Sequence, residues 1–513
     1  MRKLVRERVA ALGFAVLLAP SMSVTVAAEE TVRVGSKAFT ESVILGEIAA
    51  QLATHAGRDA HHRRQLGGTR ILWNALLNDE IDLYPEYTGT ITEEIFKGRG
   101  LEGDEAIRTA LSEHGVLMTR RLGFYNNYAL GMRKKLAARL NIETISDLRH
   151  HAELRFGFSN EYMDRGDGWR SLRDRYRLPQ KNVQGLDHAI SYQAIINEGI
   201  DVTVLYTTDA EILYHDLAVL EDDLAHIPKY DAVIVYRADL EERAPRVVQA
   251  VRQLEGRVSG DPMVAMNLRA VFEKVPETLV AADFLRETLK IDTEVEVLSV
   301  ADRILTRTRE HLYLVVVSLV AAILAGIPLG VWAAKAPRLS HAILGTVGVI
   351  QTIPALALLV LLMPALKSLN IQSIGEPPAM LALFLYSLLP IVRNTFTGIR
   401  GVSPSLVESA SALGLRPGPR LRLVELPMAS PMILAGVKTA AVINVGFATL
   451  GALIGDGGYG QPILTGIRLD DASLILQGAV PAALMALAVQ GLFEIAERVL
   501  VPRGLLLKAE TTG

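Results

Sequence analysis

Cysteine is absent from the 513 residues, which removes disulfides, thiolate metal sites and cysteine nucleophiles together. Charge of one sign is also missing. The 53 Lys and Arg stand against 56 Asp and Glu, a balance of −3, so the overall charge gives no sign of a nucleic-acid partner. The phosphate-cradling pattern G-x-x-x-x-G-K-[ST] occurs nowhere, and neither HExxH nor G-x-S-x-G is found. The adjacent pairs His61-His62 and His150-His151 are poor metal sites, because neighbours on a strand point to opposite faces. The chain therefore reads as a non-enzyme without metal or cofactor, and any nucleotide hydrolysis must come from another chain.

What is present is apolar sequence, unevenly placed. Hydrophobic residues make up 50% of the chain and concentrate after Leu312. At the N-terminus, Arg2, Lys3, Arg6 and Arg8 precede the short apolar run Val9–Ala19, and Val26-Ala27-Ala28 offers small residues for cleavage. Residues 1–28 read as an export signal, with an uncleaved anchor as the alternative. Either one places the next stretch of chain outside a bacterial inner membrane, in the periplasm.

Residues 29–300 alternate strand-like and helix-like pieces. TVRVGS reads as a strand, Glu41–Thr54 as a helix capped by Thr40, His62–Leu66 as a strand, Gly68–Asn78 as a helix and Ile81–Tyr84 as a strand. The rhythm predicts an α/β architecture with largely parallel sheets. A stretch of this length makes two lobes, expected at 31–126 with 231–300, and at 127–230, with ligand held between them near strand ends. Residues 301–311 form a polar, basic connector with little slack.

Residues 312–505 carry about five apolar spans: Leu312–Ala334, Leu339–Leu366, the short Pro377–Val392, Met428–Ile454 and Leu474–Phe493. With the first span starting outside, Lys335, Arg338, Arg393, Arg400, Arg498, Arg503 and Lys508 fall inside, and so does a tail at 506–513. Arg303, Arg307 and Arg309 of the connector run against that bias, which a leading export signal overrides. Lys438 and Asp456 sit at span edges. Lys438 is expected to reach the inner surface.

Between the third and fourth spans lies 404–427, PSLVESASALGLRPGPRLRLVELP, bracketed by Arg. Ser405–Leu413 suits a short amphipathic helix, Gly414 suits its end, and RPGP suits a turn. Glu408-Ser409-Ala410, three residues, Gly414, nine residues, then Val424, Glu425 and Leu426-Pro427 resemble the cytoplasmic loop of bacterial ABC importer permeases. The resemblance implies that Glu408, Ala410, Gly414, Leu426 and Pro427 dock a separate ATPase subunit.

The soluble part carries SKAFTES, DLYPEYTGT, NNYAL, YTTDA and LEDD…PKY, in that order. Together with AAVINVGFATLGALIG and PRGL in the apolar part, these resemble the binding proteins and permeases of osmoprotectant (glycine betaine, choline, proline betaine) ABC importers, joined in one chain. The resemblance implies a two-lobed periplasmic binding protein (type II-like) followed by an all-α polytopic membrane domain. It also implies an aromatic cage from Tyr87, Tyr128, Tyr206 and Tyr230. Such a cage suits a quaternary ammonium, which donates no hydrogen bond and is held by ring faces. Lys37, Thr90 and Arg165 match carboxylate-binding positions, and Asn126 a polar position beside the cage. Tyr84 reads as core. The expected partners are a small quaternary-ammonium ligand, an ABC ATPase subunit, membrane lipid and a second copy of the permease. Import of ergothioneine or an amino acid, or a non-transporting ligand sensor, are the alternatives.

Overall fold

The computed structural model describes residues 31–295, 298–369, 371–455 and 457–502. The expected export signal, Asp456 and the tail from residue 503 lie outside the described residues.

The first lobe is built on a five-stranded sheet. Its strands are β1 (Val32–Gly35), β2 (Ala60–Arg63), β3 (Leu83–Tyr87), β4 (Val116–Met118) and β10 (Ala232–Arg237), in the order β2-β1-β3-β10-β4. The second lobe has β5 (Tyr128–Arg133), β6 (Phe156–Ser159), β7 (Val183–Leu186), β8 (Val202–Tyr206) and β9 (Leu217–Val219), in the order β7-β6-β8-β5-β9. The chain thus crosses between lobes near residues 127 and 231.

The sheets are mixed rather than largely parallel. β10 runs antiparallel to β3 and β4, and β5 runs antiparallel to β8 and β9. Both strands enter their sheet directly from the other lobe. A parallel neighbour requires a helical crossover, which a direct entry does not provide.

Three helices of these lobes position the site: α1 (Thr40–His55), α2 (Asn160–Asp164) and α3 (His188–Ile196). α1 is buried along most of its length, as its run of Val, Ile, Leu and Ala allows. Thr40 is not its cap. Phe39 occupies that position with no side-chain cap bond, and the Thr40 hydroxyl is engaged elsewhere. α4 (Glu277–Phe284) packs against α1.

The apolar half is helical. α5 (Val300–Lys335) has 36 residues, about 54 Å at 1.5 Å per residue, against a hydrocarbon core of about 30 Å. Its first turns are the connector 301–311, so the connector is a rigid extension of the first span, capped by Ser299. The second apolar segment is not one straight span. α6 (Pro337–Thr352) and α7 (Ala355–Ser368) meet at 108°. Pro354 forces Ile353 out of helical geometry, and the Tyr386 hydroxyl donates to the freed Ile353 carbonyl.

α8 (Glu376–Arg400) exceeds the short third segment expected from composition. α9 (Pro404–Ala412) lies in the loop before α10 (Leu426–Phe447). α11 (Gly460–Arg468) and α12 (Ala472–Leu500) complete the described helices. Among the described residues, four helices are long and apolar enough to cross a membrane, or five spans if the bent pair counts as one. α10 crosses α8 closely: a Cβ at Gly436 would sit 2.6 Å from the Pro390 carbonyl oxygen, so only glycine fits. Lys438 pairs with Glu494 at 3.4 Å.

The loop 404–427 behaves as its sequence suggests at its first half. α9 ends at Ala412, and Gly414 takes φ +81°, a conformation that favours glycine. RPGP is not a simple turn, because Pro417–Arg420 makes a short helix that runs on toward α10. Glu408 is exposed and Ala410 is buried. Leu426 and Pro427 open α10. Buried Glu425 accepts from Arg420 Nε at 3.0 Å and pairs with Lys335 at the end of α5, which fixes the loop to the first span.

Candidate functional site

The tyrosines converge because strand register places them at sheet ends. Tyr128 opens β5 and Tyr206 closes β8, and the two are directly opposite in the antiparallel pair. Tyr87 closes β3 opposite Ala232 of β10, two residues after Tyr230. Ring centroids of Tyr128 lie 5.3 Å from both Tyr206 and Tyr230. Phe39 bridges Tyr206 at 5.3 Å and Tyr87 at 6.2 Å. The outcome is an arc of five rings, Tyr87–Phe39–Tyr206–Tyr128–Tyr230, drawn from both lobes. Gly89 lies flat on the Tyr230 ring, where a Cβ would come within 2.7 Å, so the turn after Tyr87 returns to the far end of the arc. Tyr84 is fully buried on the opposite face of β3, in the separate cluster with Trp73 and Phe96.

The expected donors surround these rings. Arg165, just after α2, is buried with its guanidinium 5.2 Å from the Tyr128 centroid and 5.6 Å from that of Tyr230. Asp167 grips its Nε at 2.8 Å and Nη2 at 3.0 Å, and also accepts from the Tyr230 hydroxyl. Arg165 Nη1 makes no hydrogen bond among the described residues, its ion-pair partner Glu161 Oε1 standing off at 3.9 Å, so one strong donor is left for an acceptor group. Lys37 Nζ lies 5.6 Å from the Tyr87 centroid and donates to Glu86 at 2.5 Å. Thr90 is buried in the helical turn Thr88–Thr90, beside Gly89.

Asn126 does not simply face the cage. Its Nδ2 donates to Glu41 Oε1 at 2.9 Å. Glu41, in the first turn of α1, is the residue that sequence reasoning missed. It is buried and also accepts from the Tyr87 hydroxyl at 2.6 Å, from Thr208 Oγ1 at 2.5 Å and from Asn267 Nδ2 at 3.4 Å. Burial pushes its carboxyl up to about 7, against the lowering effect of the Thr208, Tyr87 and Asn126 donors. Since Thr208 belongs to the second lobe, Glu41 ties the lobes together. Thr69 and Glu161 do the same at 3.1 Å. His188 stacks behind Tyr206 at 4.1 Å and pairs with Asp209 at 3.1 Å. Burial opposes its protonation, but Asp209 raises its pKa overall. Phe39 and Glu41 lie inside SKAFTES, and Asp167 lies two residues after the expected donor Arg165. Their roles depend on packing that spacing does not show.

This site sits in a stretch with a defined counterpart. Residues 30–287 match the substrate-binding domain of ABC-type glycine betaine transport systems. The chain belongs to that family. Residues 326–504 match the inner membrane component of binding-protein-dependent transport systems, so binding domain and permease are fused in one polypeptide. The chain is thus the binding and membrane component of an ABC transporter, a multi-pass membrane protein. The apolar half is 41% identical over 202 residues to the choline transport system permease protein OpuBB of Bacillus subtilis, covering 39% of this chain and 90% of the relative. It is 40% identical over 215 residues to the osmoprotectant import permease protein OsmW of Salmonella typhimurium, covering 42% and 100%. Among solved structures, a glycine betaine/carnitine/choline ABC transporter aligns with 27% identity and a TM-score of 0.43, covering 50% of this chain and 98% of the other.

Proposed function

We propose that the chain imports a quaternary-ammonium osmoprotectant of the glycine betaine type into a bacterial cell. The observation that carries this reading is the five-ring arc with the buried Arg165 Nη1 left over beside it. Ring faces receive a trimethylammonium by electrostatic and dispersion attraction. An Arg donor receives the carboxylate at the other end of a betaine. Tyr87, Tyr128, Tyr206 and Tyr230 form the cation end in this reading. Lys37, Thr90 and Arg165 form the anion end, and Asn126 supports the cage through Glu41. The binding domain lies in the periplasm, and ligand closes the lobes. ATP is hydrolysed by separate subunits, which engage Glu408, Ala410, Gly414, Leu426 and Pro427. Two copies of the permease alternate access.

Calorimetric titration of the full chain in lipid nanodiscs with glycine betaine and with choline tests the ligand assignment. Binding of glycine betaine in preference to choline supports both ends of the site. Equal binding of both keeps the rings and removes the carboxylate role of Lys37, Thr90 and Arg165. Binding of neither overturns the assignment. Tyr87→Ala and Tyr206→Ala are each expected to weaken binding by up to about 2 kcal/mol, roughly 30-fold. Unchanged affinity in both would remove the cage.

A further inference from the structure

The permease touches the binding domain at the segment that carries Lys37 and Phe39. α11 lies against both lobes. Toward the first lobe, Arg468 Nη1 donates to Thr40 Oγ1 at 2.9 Å and Arg468 Nη2 donates to Glu277 at the head of α4. Gln65 Nε2 donates to Thr465 Oγ1 at 2.8 Å, and Lys274 Nζ caps the C-terminal end of α11 through the carbonyls of Leu469 and Asp470. Toward the second lobe, α11 packs on α3, and Gln193 Nε2 donates to Asp470 Oδ2 at 2.8 Å.

Two features make Arg468 more than a surface contact. First, it is buried together with Glu277, in a chain of charges that continues through Arg64 to Glu47, against which His62 packs. Burial raises the Glu277 carboxyl, yet Arg468 and Arg64 hold it below its ordinary value. A desolvated pair across an interface fixes register, because loss of Arg468 would leave buried Glu277 with only the looser Arg64 contact at 3.9 Å. Second, its acceptor Thr40 stands in SKAFTE. That segment, which runs from the end of β1 into the first turn of α1, also holds Lys37 beside the Tyr87 ring, Phe39 within the arc, and Glu41, which accepts from the Tyr87 hydroxyl and from Thr208 of the second lobe.

Arg468 ends α11 and Asp470 follows two residues later in the turn before α12, its carbonyl held by Lys274, whereas residues 40 and 193 belong to different lobes whose separation changes if the cleft opens. Both sets of contacts are therefore satisfied together only over a narrow range of lobe arrangements. We infer that α11 reads cleft closure, with Arg468 as the positioning residue that sets the permease on the SKAFTE segment of its own chain. Docking on α11 and ligand in the cleft favour the same closed arrangement, so each strengthens the other. This rests on the assignment of the ring arc as the ligand site.

The absence of native cysteine makes the test direct. Two double variants, Gln65→Cys/Thr465→Cys and Gln193→Cys/Asp470→Cys, are joined with a short bis-maleimide in nanodiscs, with and without glycine betaine or choline. Binding is measured by calorimetry on the same samples. The first-lobe pair is expected to cross-link with or without ligand, and the second-lobe pair several-fold more with ligand. Adding Arg468→Ala is expected to lower the first yield and abolish the ligand-dependent rise in the second. Arg468→Lys, which keeps the charge, is expected to restore part of both. Bound ligand with no change in the second-lobe yield overturns cleft reading. A ligand-dependent rise that survives Arg468→Ala overturns the role of Arg468. Absence of calorimetric binding by the unsubstituted chain overturns the ligand assignment and this inference with it.

Discussion

At the scale of single residues, the convergence of the four arc tyrosines is legible because each stands in a short motif at or next to a strand end. Glu41 is not, because nothing in SKAFTES tells that four donors from four separate segments close over one carboxyl. Its consequence is testable through pH. Burial holds Glu41 at about 7 in the fold, against about 4.5 in an unfolded chain, so folding takes up a proton between those values. Its contribution is fully present below about pH 4.5 and is lost as pH rises through about 7. The groups facing it are Tyr87, Asn126, Thr208 and Asn267, with Asp209 nearby, and none of them is a cation. Glu41→Gln keeps the size and removes the titration. The unfolding temperature of the unsubstituted chain, followed by tryptophan fluorescence, is expected to fall relative to Glu41→Gln across that window. Parallel curves would place the carboxyl in an ordinary state. Arg165 gives a second prediction. Asp167 holds its Nε and Nη2 as a fork, which an ammonium cannot reproduce. Arg165→Lys is expected to weaken glycine betaine binding about tenfold or more, within the worth of a charge-assisted hydrogen bond, and choline binding much less. Titration with both ligands checks it, and an equal loss for both would mean that Arg165 only supports the rings.

At the scale of elements, helices with one dominant local signal are legible and those bent by their neighbours are not. The helix formers of Ser405–Leu413 and the glycine after them place α9 and its end to within a residue, because a short helix closed by glycine is a local matter. The second apolar segment reads as one span because hydropathy is blind to direction, while Pro354 turns the chain by 108°. The antiparallel entries of β5 and β10 escape for a related reason: strand direction is set by where the chain arrives from, not by its own residues. The loop 404–427 has a feature beyond its motif. Glu425 is buried between Arg420 and Lys335, which joins the proposed ATPase-docking surface to the end of the first span. Glu425→Ala leaves two cations without their partner. It is expected to loosen the loop by about 1–3 kcal/mol and to depress ATP-driven uptake in proteoliposomes while ligand binding in the distant cleft stays unchanged. Undiminished uptake would mean that the loop needs no tie to α5.

At the scale of the whole molecule, the fusion sets the stoichiometry. Each chain carries one binding domain and one permease unit, and that unit is incompletely covered. Of the most apolar stretch of α12 only 6% is buried, against 56% for α8 at the centre of the bundle. Leu476, Leu484, Leu487 and Ile495 of α12 are each more than half exposed, as are Leu356, Val360 and Leu361 of α7. Lipid covers part of this surface in a membrane. Closed pairing of identical chains by a two-fold axis is the commonest way to cover the rest. We expect two copies per transporting particle, hence two binding domains, each seated through Arg468 on its own permease unit. Native mass spectrometry of the reconstituted chain with its ATPase checks the count. Mixing chains that carry Gln65→Cys only with chains that carry Thr465→Cys only checks the seating. Two copies with no cross-link between such chains support docking within one polypeptide. Efficient cross-linking between them would place each binding domain on its neighbour, and a single copy in a transporting particle would remove the two-fold arrangement altogether.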